Sequence, residues 1–273
     1  MLHEIIKLNQ HYPIDGDAEL EIIIPYVNDI NKQNKSRGIL ICPGGAYVFV
    51  SLREGDPVAL EYARKGFVTF ILRYTTLKPY PTPMHELACA VDYLRNNADK
   101  YFLDKKQLTI LGFSAGGHLI SSYGYLYKHP NFLEKTKLNP ENIKPNALIA
   151  AYPVITTGEY THQESKRYIT ANDDKLIELL SVENNIDSTY PPTFVWTTKE
   201  DTCVHYLNSV MYADALKNAN VEHEFVLFEH LDHGKSIGTS LVNDIKEHEV
   251  SHYEELATWV KKSIDFLNKI YKK

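Results

Sequence analysis

The chain of 273 residues is poor in the features that would tie it to disulfides, a membrane or a polyanion. It has three cysteines, Cys42, Cys89 and Cys203, an odd number at wide spacings. That excludes a disulfide framework and matches no zinc-ligand spacing. Cys42 and Cys89 sit among apolar neighbours and are expected as buried small hydrophobes. No window approaches the ~18 apolar residues of a membrane-spanning helix. The start, Met1-Leu2-His3-Glu4-Ile5-Ile6-Lys7, lacks a basic n-region and a long apolar core, so it is not expected to act as a signal peptide. The default expectation is a soluble cytoplasmic protein with no membrane partner. Basic residues are outnumbered, 29 Lys and Arg against 35 Asp and Glu, for a formal net charge of −6. The runs Lys105-Lys106, Lys261-Lys262 and Lys272-Lys273 form no stripe and are expected on solvated helix faces, a loop or a tail. Nucleic acid is therefore not an expected partner.

What the chain does have is an ordinary globular composition, with 44% hydrophobic and 23% charged residues. Strand-like and helix-like segments alternate, which predicts an α/β fold with a mostly parallel sheet flanked by helices. Residues 18–26 read as an early antiparallel strand at the sheet edge. The runs 38–42, 67–72, 107–112 and 146–152 read as strands buried on both faces, and 194–197 and 224–228 as two more. Helices are predicted over 56–65, 83–97, 115–126, 206–218 and about 250–270, the last with Leu256, Val260, Ile264 and Leu267 on one face. From about 155 to 190 the periodicity fades. This stretch is expected to be a cap of short helices inserted into a single domain, because it is too short to bury its own core.

One motif carries chemistry. Gly112-Phe113-Ser114-Ala115-Gly116 lies between a predicted strand and a predicted helix, the setting in which Gly-x-Ser-x-Gly makes a nucleophile elbow. The hydroxyl of Ser114 would project at a helix N-terminus, where backbone N–H groups favour a developing oxyanion. The plain alternative is a Gly/Ser turn that caps the helix. A serine hydroxyl needs a base within hydrogen-bond reach and a carboxylate to orient that base. In this arrangement the acid follows a late strand, and Glu200 and Asp201 stand there. Asp201 is preferred because it lies deeper in the loop. After the last strand come His230 and His233, and His233 is preferred because Gly234 leaves its loop free to aim the ring. Two histidines alone do not supply the ligands of a zinc site, so no metal is called for. The loop Cys42-Pro43-Gly44-Gly45-Ala46-Tyr47 follows a buried strand and could turn amides inward as oxyanion donors beside that of Ala115.

Together these pieces resemble the α/β-hydrolase esterases of the acetyl xylan esterase-like and hormone-sensitive-lipase-like group. The resemblance runs from about residue 20 to the C-terminus through Cys42–Tyr47, Arg53–Ala59, Leu72-Arg73-Tyr74, Gly112–His118, Tyr152-Pro153-Val154, Pro191–Phe194, Asp201 and His230–Gly234. It implies Ser114, Asp201 and His233 as a catalytic triad, with Gly45, Ala46 and Ala115 as oxyanion donors and no cofactor. Pro43-Gly44-Gly45-Ala46 departs from the His-Gly-Gly-Gly of lipase-like relatives, but a backbone donor does not require glycine. The implied reaction is hydrolysis of a small-molecule carboxylic ester through an acyl-enzyme. Short acyl groups, such as acetyl groups on sugars or xylo-oligosaccharides, are the expected substrate. Tyr47, Tyr80, Tyr160, Tyr168 and Trp196 are candidates for aromatic surface against a sugar ring, with core or surface packing the plainer role for each. A peptidase or formamidase using the same triad is the alternative, and a non-catalytic ligand-binding relative is a third.

Overall fold

The computed structural model describes residues 2–24 and 35–272. Eight strands form one sheet, β1 (Leu2–Lys7), β2 (Glu19–Ile24), β3 (Ser36–Cys42), β4 (Val68–Arg73), β5 (Leu103–Phe113), β6 (Ala147–Ala151), β7 (Thr193–Thr198) and β8 (His223–Phe228), in the order β1-β2-β4-β3-β5-β6-β7-β8. β1 and β2 run antiparallel to their neighbours, and the strands from β4 through β8 are mutually parallel. The expected strand over 18–26 is thus present as β2, but it does not lie at the edge. β1, paired antiparallel with β2 and exposing every second residue, covers it. Residues 25 and 26 of that expectation lie outside the described residues.

The continuous apolar runs are explained by burial on both faces. Along β3, Leu40 and Cys42 enter one apolar layer, while Ile39 and Ile41 enter the other. The first layer is closed by α2 (Thr82–Asn96), α3 (Ala115–Leu126) and α8 (Leu207–Asn218), through residues such as Leu87, Leu119 and Tyr212. The second is closed by α1 (Asp56–Ala63) and α9 (Val250–Ile270), through Val58, Tyr62, Leu256 and Trp259. Trp196 of β7 is part of this second core, stacked on Trp259 at 5.1 Å between ring centroids. Lys105 and Lys106 correct the expectation for the basic runs, since they lie on the exposed first half of β5. Cys42 and Cys89 are buried.

Two short helices, α4 (Pro130–Thr136) and α5 (Pro140–Ile143), join α3 to β6. The stretch 155–190 carries α6 (Gln163–Thr170), α7 (Asp174–Leu179) and a 3₁₀ turn over Val182–Asn184. Asn208 of α8 anchors its start, accepting the amides of Ile155 and Thr156 and donating to the carbonyl of Tyr160. Among the described residues no helix is long and apolar enough to cross a membrane.

The chain leaves β3 for β4 on one side and later returns to β5 on the other. A crevice therefore opens beyond the carboxyl ends of β3 and β5, where the winding reverses. Ser114 follows β5 directly, and the loop of residues 43–54 follows β3.

Candidate active site

Ser114 occupies a backbone conformation of φ 52°, ψ −117°, which a non-glycine residue holds only under tertiary constraint. Its amide donates to the carbonyl of Ala151 at the end of β6, and its carbonyl accepts from His118 and Val154. The turn is tight enough that a Cβ on Gly112 would lie 2.2 Å from the carbonyl oxygen of Gly116. On Gly116, a Cβ would lie 2.1 Å from that of Cys42. The two glycines flanking the serine therefore permit a backbone approach that any side chain would block.

The hydroxyl of Ser114 stands 2.9 Å from Nε2 of His233, in the loop after β8. Nδ1 of His233 stands 2.6 Å from Oδ2 of Asp201, in the loop after β7. The pairing assigns the tautomer, with Nδ1–H donating to Asp201 and Nε2 accepting from Ser114. The Asp201 side chain is 0% exposed, and its other oxygen accepts the amides of Cys203 at 2.9 Å and Val204 at 2.8 Å. The His233 side chain is 16% exposed and Ser114 is buried at 8% overall, so the acid is the most deeply buried of the three.

The neighbouring candidates are engaged elsewhere. Glu200 is exposed and accepts from Nδ1 of His230 at 3.2 Å and from the amide of Leu231 at 3.1 Å. His230 also stacks on His252, with ring centroids 4.1 Å apart. Asp232 ties the two loops together, accepting the amide and hydroxyl of Thr202 and the amide of His233.

The loop after β3 passes through three successive residues at positive φ, Gly45 at 124°, Ala46 at 57° and Tyr47 at 63°. At Gly45 only glycine fits, because a Cβ would lie 2.1 Å from the carbonyl oxygen of Phe49. The amide of Gly44 is committed inward to Oε2 of Glu54 at 2.8 Å. Gly44 is thereby removed from the oxyanion donors that the 44–46 loop could supply. Among the described residues the amides of Gly45 and Ala46 meet no protein acceptor, and Ala115 begins a helix whose first N–H groups have no intrahelical partner.

Glu54 and Tyr152 stand in segments that carry the family resemblance, Arg53–Ala59 and Tyr152-Pro153-Val154, but no motif in the sequence assigns either a role in the site. Glu54 is buried, and its Oε1 accepts from the hydroxyl of Tyr152 at 2.7 Å. Burial, and then the carboxylate of Glu54, hold this phenol well above the ordinary tyrosine range, so it remains a donor. Its ring meets His233 edge-on at 4.8 Å.

A cavity of about 330 Å³ opens over Ser114 and His233. Gly45, Ala46, Phe49, Ser51, Arg53 and Glu54 line it from the loop after β3, and His162, Glu164 and Cys203 from the opposite side. Burial, and then the nearby His233, lower the pKa of His162 below the ordinary histidine value. None of the five aromatic residues suggested by sequence lines this cavity. Tyr47 and Trp196 are buried, Tyr80 is mostly buried, Tyr160 packs near His205, and Tyr168 lies under Arg167. Phe49, 60% exposed, supplies the aromatic surface instead.

A serine held on a strained turn after the central parallel strand, with its partners on loops after later strands, defines an α/β-hydrolase. Residues 24–216 match the BD-FAE family model, and the chain belongs to that family, among the esterases of the superfamily. It is 34% identical over 218 residues to endo-1,4-beta-xylanase B of Butyrivibrio fibrisolvens, a match covering 76% of this chain and 34% of that protein. It is 26% identical over 259 residues to the acetylxylan esterase of Xylanibacter ruminicola, covering 90% and 48% respectively. The chain thus spans between a third and a half of the length of these curated relatives. Among solved structures, the acetyl ester-xyloside bifunctional hydrolase of Caldicellulosiruptor lactoaceticus matches with a TM-score of 0.78 and 27% identity, over 96% of this chain and 97% of that one. A carboxylesterase of Lactobacillus plantarum shares the fold with a TM-score of 0.86 at 24% identity, over 98% of both chains.

Proposed function

We propose that the chain is a serine carboxylesterase that removes short acyl groups, acetyl above all, from hydroxylated alcohols such as sugars and xylo-oligosaccharides. The observation that carries the proposal is the unbroken line of hydrogen bonds from Ser114 through His233 to Asp201, ending in the 330 Å³ cavity. In this mechanism His233 takes the proton of Ser114 as the oxygen attacks the ester carbonyl. Asp201 keeps the imidazole in the required tautomer and stabilises its cation. The amides of Gly45 or Ala46, with that of Ala115, receive the oxyanion, each such donor lowering the barrier by roughly 3–4 kcal/mol. His233 then protonates the leaving alcohol, and a water molecule repeats the sequence on the acyl-enzyme.

The cavity supports a short acyl group and a polar alcohol. Its apolar side chains are Ala46, Phe49 and Cys203, with a single large one among them, and its volume suits a short acyl group better than a long chain. Arg53, Ser51, His162 and Glu164 surround them with groups that suit hydroxyls, and Phe49 offers a ring face. Two relatives support the same alcohol class by name, the acetylxylan esterase and the acetyl ester-xyloside hydrolase.

The test is a fluorophosphonate probe followed by an ester panel. Labelling at Ser114, its loss with turnover in Ser114→Ala, and a preference for acetyl over octanoyl esters are the expected results. Undiminished hydrolysis by Ser114→Ala overturns the nucleophile, and a preference for octanoyl esters overturns the acyl class.

A further inference from the structure

We propose that Glu54, acting with Tyr152, is a positioning residue that holds the oxyanion-donating loop and His233 in register with Ser114. The proposal rests on the triad and donors assigned above, and it adds a carboxylate that neither supplies nor receives a proton in the reaction.

Glu54 is 4% exposed, and among the described residues it makes no ion pair. Its neighbour Arg53 turns away to the carbonyl of Gly234, and Asp56, not Glu54, pairs with Arg73. A buried carboxylate without a counter-ion is costly and is retained only where hydrogen bonds replace its hydration. Glu54 has one such donor on each oxygen, and the two donors belong to different parts of the site. Oε2 holds the amide of Gly44, the residue before Gly45 and Ala46. The run of positive φ from Gly45 to Tyr47 is strained at Ala46 and Tyr47, so the direction of their amides depends on what clamps the loop.

Oε1 holds Tyr152, which follows β6. The same phenol oxygen accepts the amide of Ser236 at 3.1 Å, three residues beyond His233, while the tyrosine ring packs against His233 itself. The hydroxyl of Ser236 returns to the carbonyl of Arg53 at 2.6 Å, and its carbonyl accepts from Trp259 at 2.9 Å. One carboxylate therefore joins the loops after β3 and β8 through the residue after β6. These loops carry the proposed oxyanion donors and the proposed base. Because oxyanion donors act on charge that develops in the transition state, loosening this link should lower kcat and leave KM nearly untouched.

The test uses E54Q, Y152F and the double variant, with p-nitrophenyl acetate as substrate. Active sites are counted by fluorophosphonate titration and the Tm is measured alongside. The expected result is a loss of ~10–100-fold in kcat per titrated site in each single variant, with KM within about twofold of wild type. Because both residues act through one link, the double variant should be no slower than the slower single one. Y152F keeps the ring on His233 and tests the link even where E54Q fails to fold. A lower Tm or titratable fraction with unchanged kcat per titrated site overturns the proposal, leaving Glu54 a purely structural clamp. Multiplying losses in the double variant overturn the shared link. A wild-type chain that takes no probe at Ser114 overturns the triad instead, a result distinct from either.

Discussion

The two flanks of Ser114 are built on opposite terms. On one side, the loop of residues 43–54 is tied down atom by atom. The amide of Gly44 is bonded to a buried carboxylate, Tyr47 is buried with its hydroxyl on His118, and Gly45 occupies a conformation closed to other residues. On the other side, α6 and α7 are short helices with exposed charges, started by side-chain caps at His162 and Asp173, and α7 buries none of its residues. Groups aimed at a transition state tolerate little displacement, so the first flank invests buried polar contacts in rigidity. A segment that carries none of the proposed catalytic groups can vary at little cost to the fold, as surface segments generally do. His118 joins the two flanks. Its Nδ1 accepts from Tyr47 at 2.8 Å, and its Nε2 donates to the carbonyl of Leu180 at 2.9 Å.

The contrast can be broken first at the rigid side. Asp201→Asn keeps the size of the side chain but favours the wrong tautomer of His233, so kcat for p-nitrophenyl acetate should fall on the order of 10⁴-fold. A loss of less than tenfold would separate Asp201 from the proposed mechanism. The second test concerns the link. Burial, opposed only in part by its bond to Leu180, lowers the pKa of His118 to about 4. The unfolded chain takes up this proton near pH 6.5 and the folded chain only near 4. Stability from this group is therefore complete above about 6.5 and lost as the pH falls toward 4, by about 3 kcal/mol in all. Urea denaturation across that window should show a shallower acid loss in His118→Gln than in wild type, and parallel curves would refute the assignment. The smallest effect belongs to the pliable side. Asp173 accepts the amides of Lys175 and Leu176, and Asp173→Ala should cost about 1 kcal/mol of stability. Its kcat for a small acetyl ester should match wild type. A drop of tenfold there would show that the 155–190 segment is coupled to the chemistry.

Much of the architecture was legible because its signals are local. Uninterrupted apolar runs mark strands covered on both faces, and the helices over 115–126 and 250–270 lie where their patterns put them. β1 carries no clear local signal, because Leu2–Lys7 sets two polar residues side by side and then two apolar ones over only six positions, and it draws its stability from pairing with β2. The expected aromatic surface went astray for a related reason. A tyrosine or tryptophan reads the same in sequence whether it packs in a core, as Trp196 does, or faces a cavity, as Phe49 does.

The sequence by itself determined the strand–serine–helix turn, the order of acid and histidine after later strands, and the glycines on which close backbone approach depends. All of these are short-range consequences of backbone geometry and side-chain alternation. Tertiary structure alone decided how adjacent candidates divide their work. Asp201 turns into the buried end of the sheet toward His233, while Glu200 points to solvent and takes His230, a division set by the turn after β7 in which the Asp201 amide bonds the Thr198 carbonyl. It alone revealed Glu54, whose partners lie 10 and 98 residues away. The energy of a buried charge depends on what surrounds it, and those surroundings are assembled only when distant segments meet.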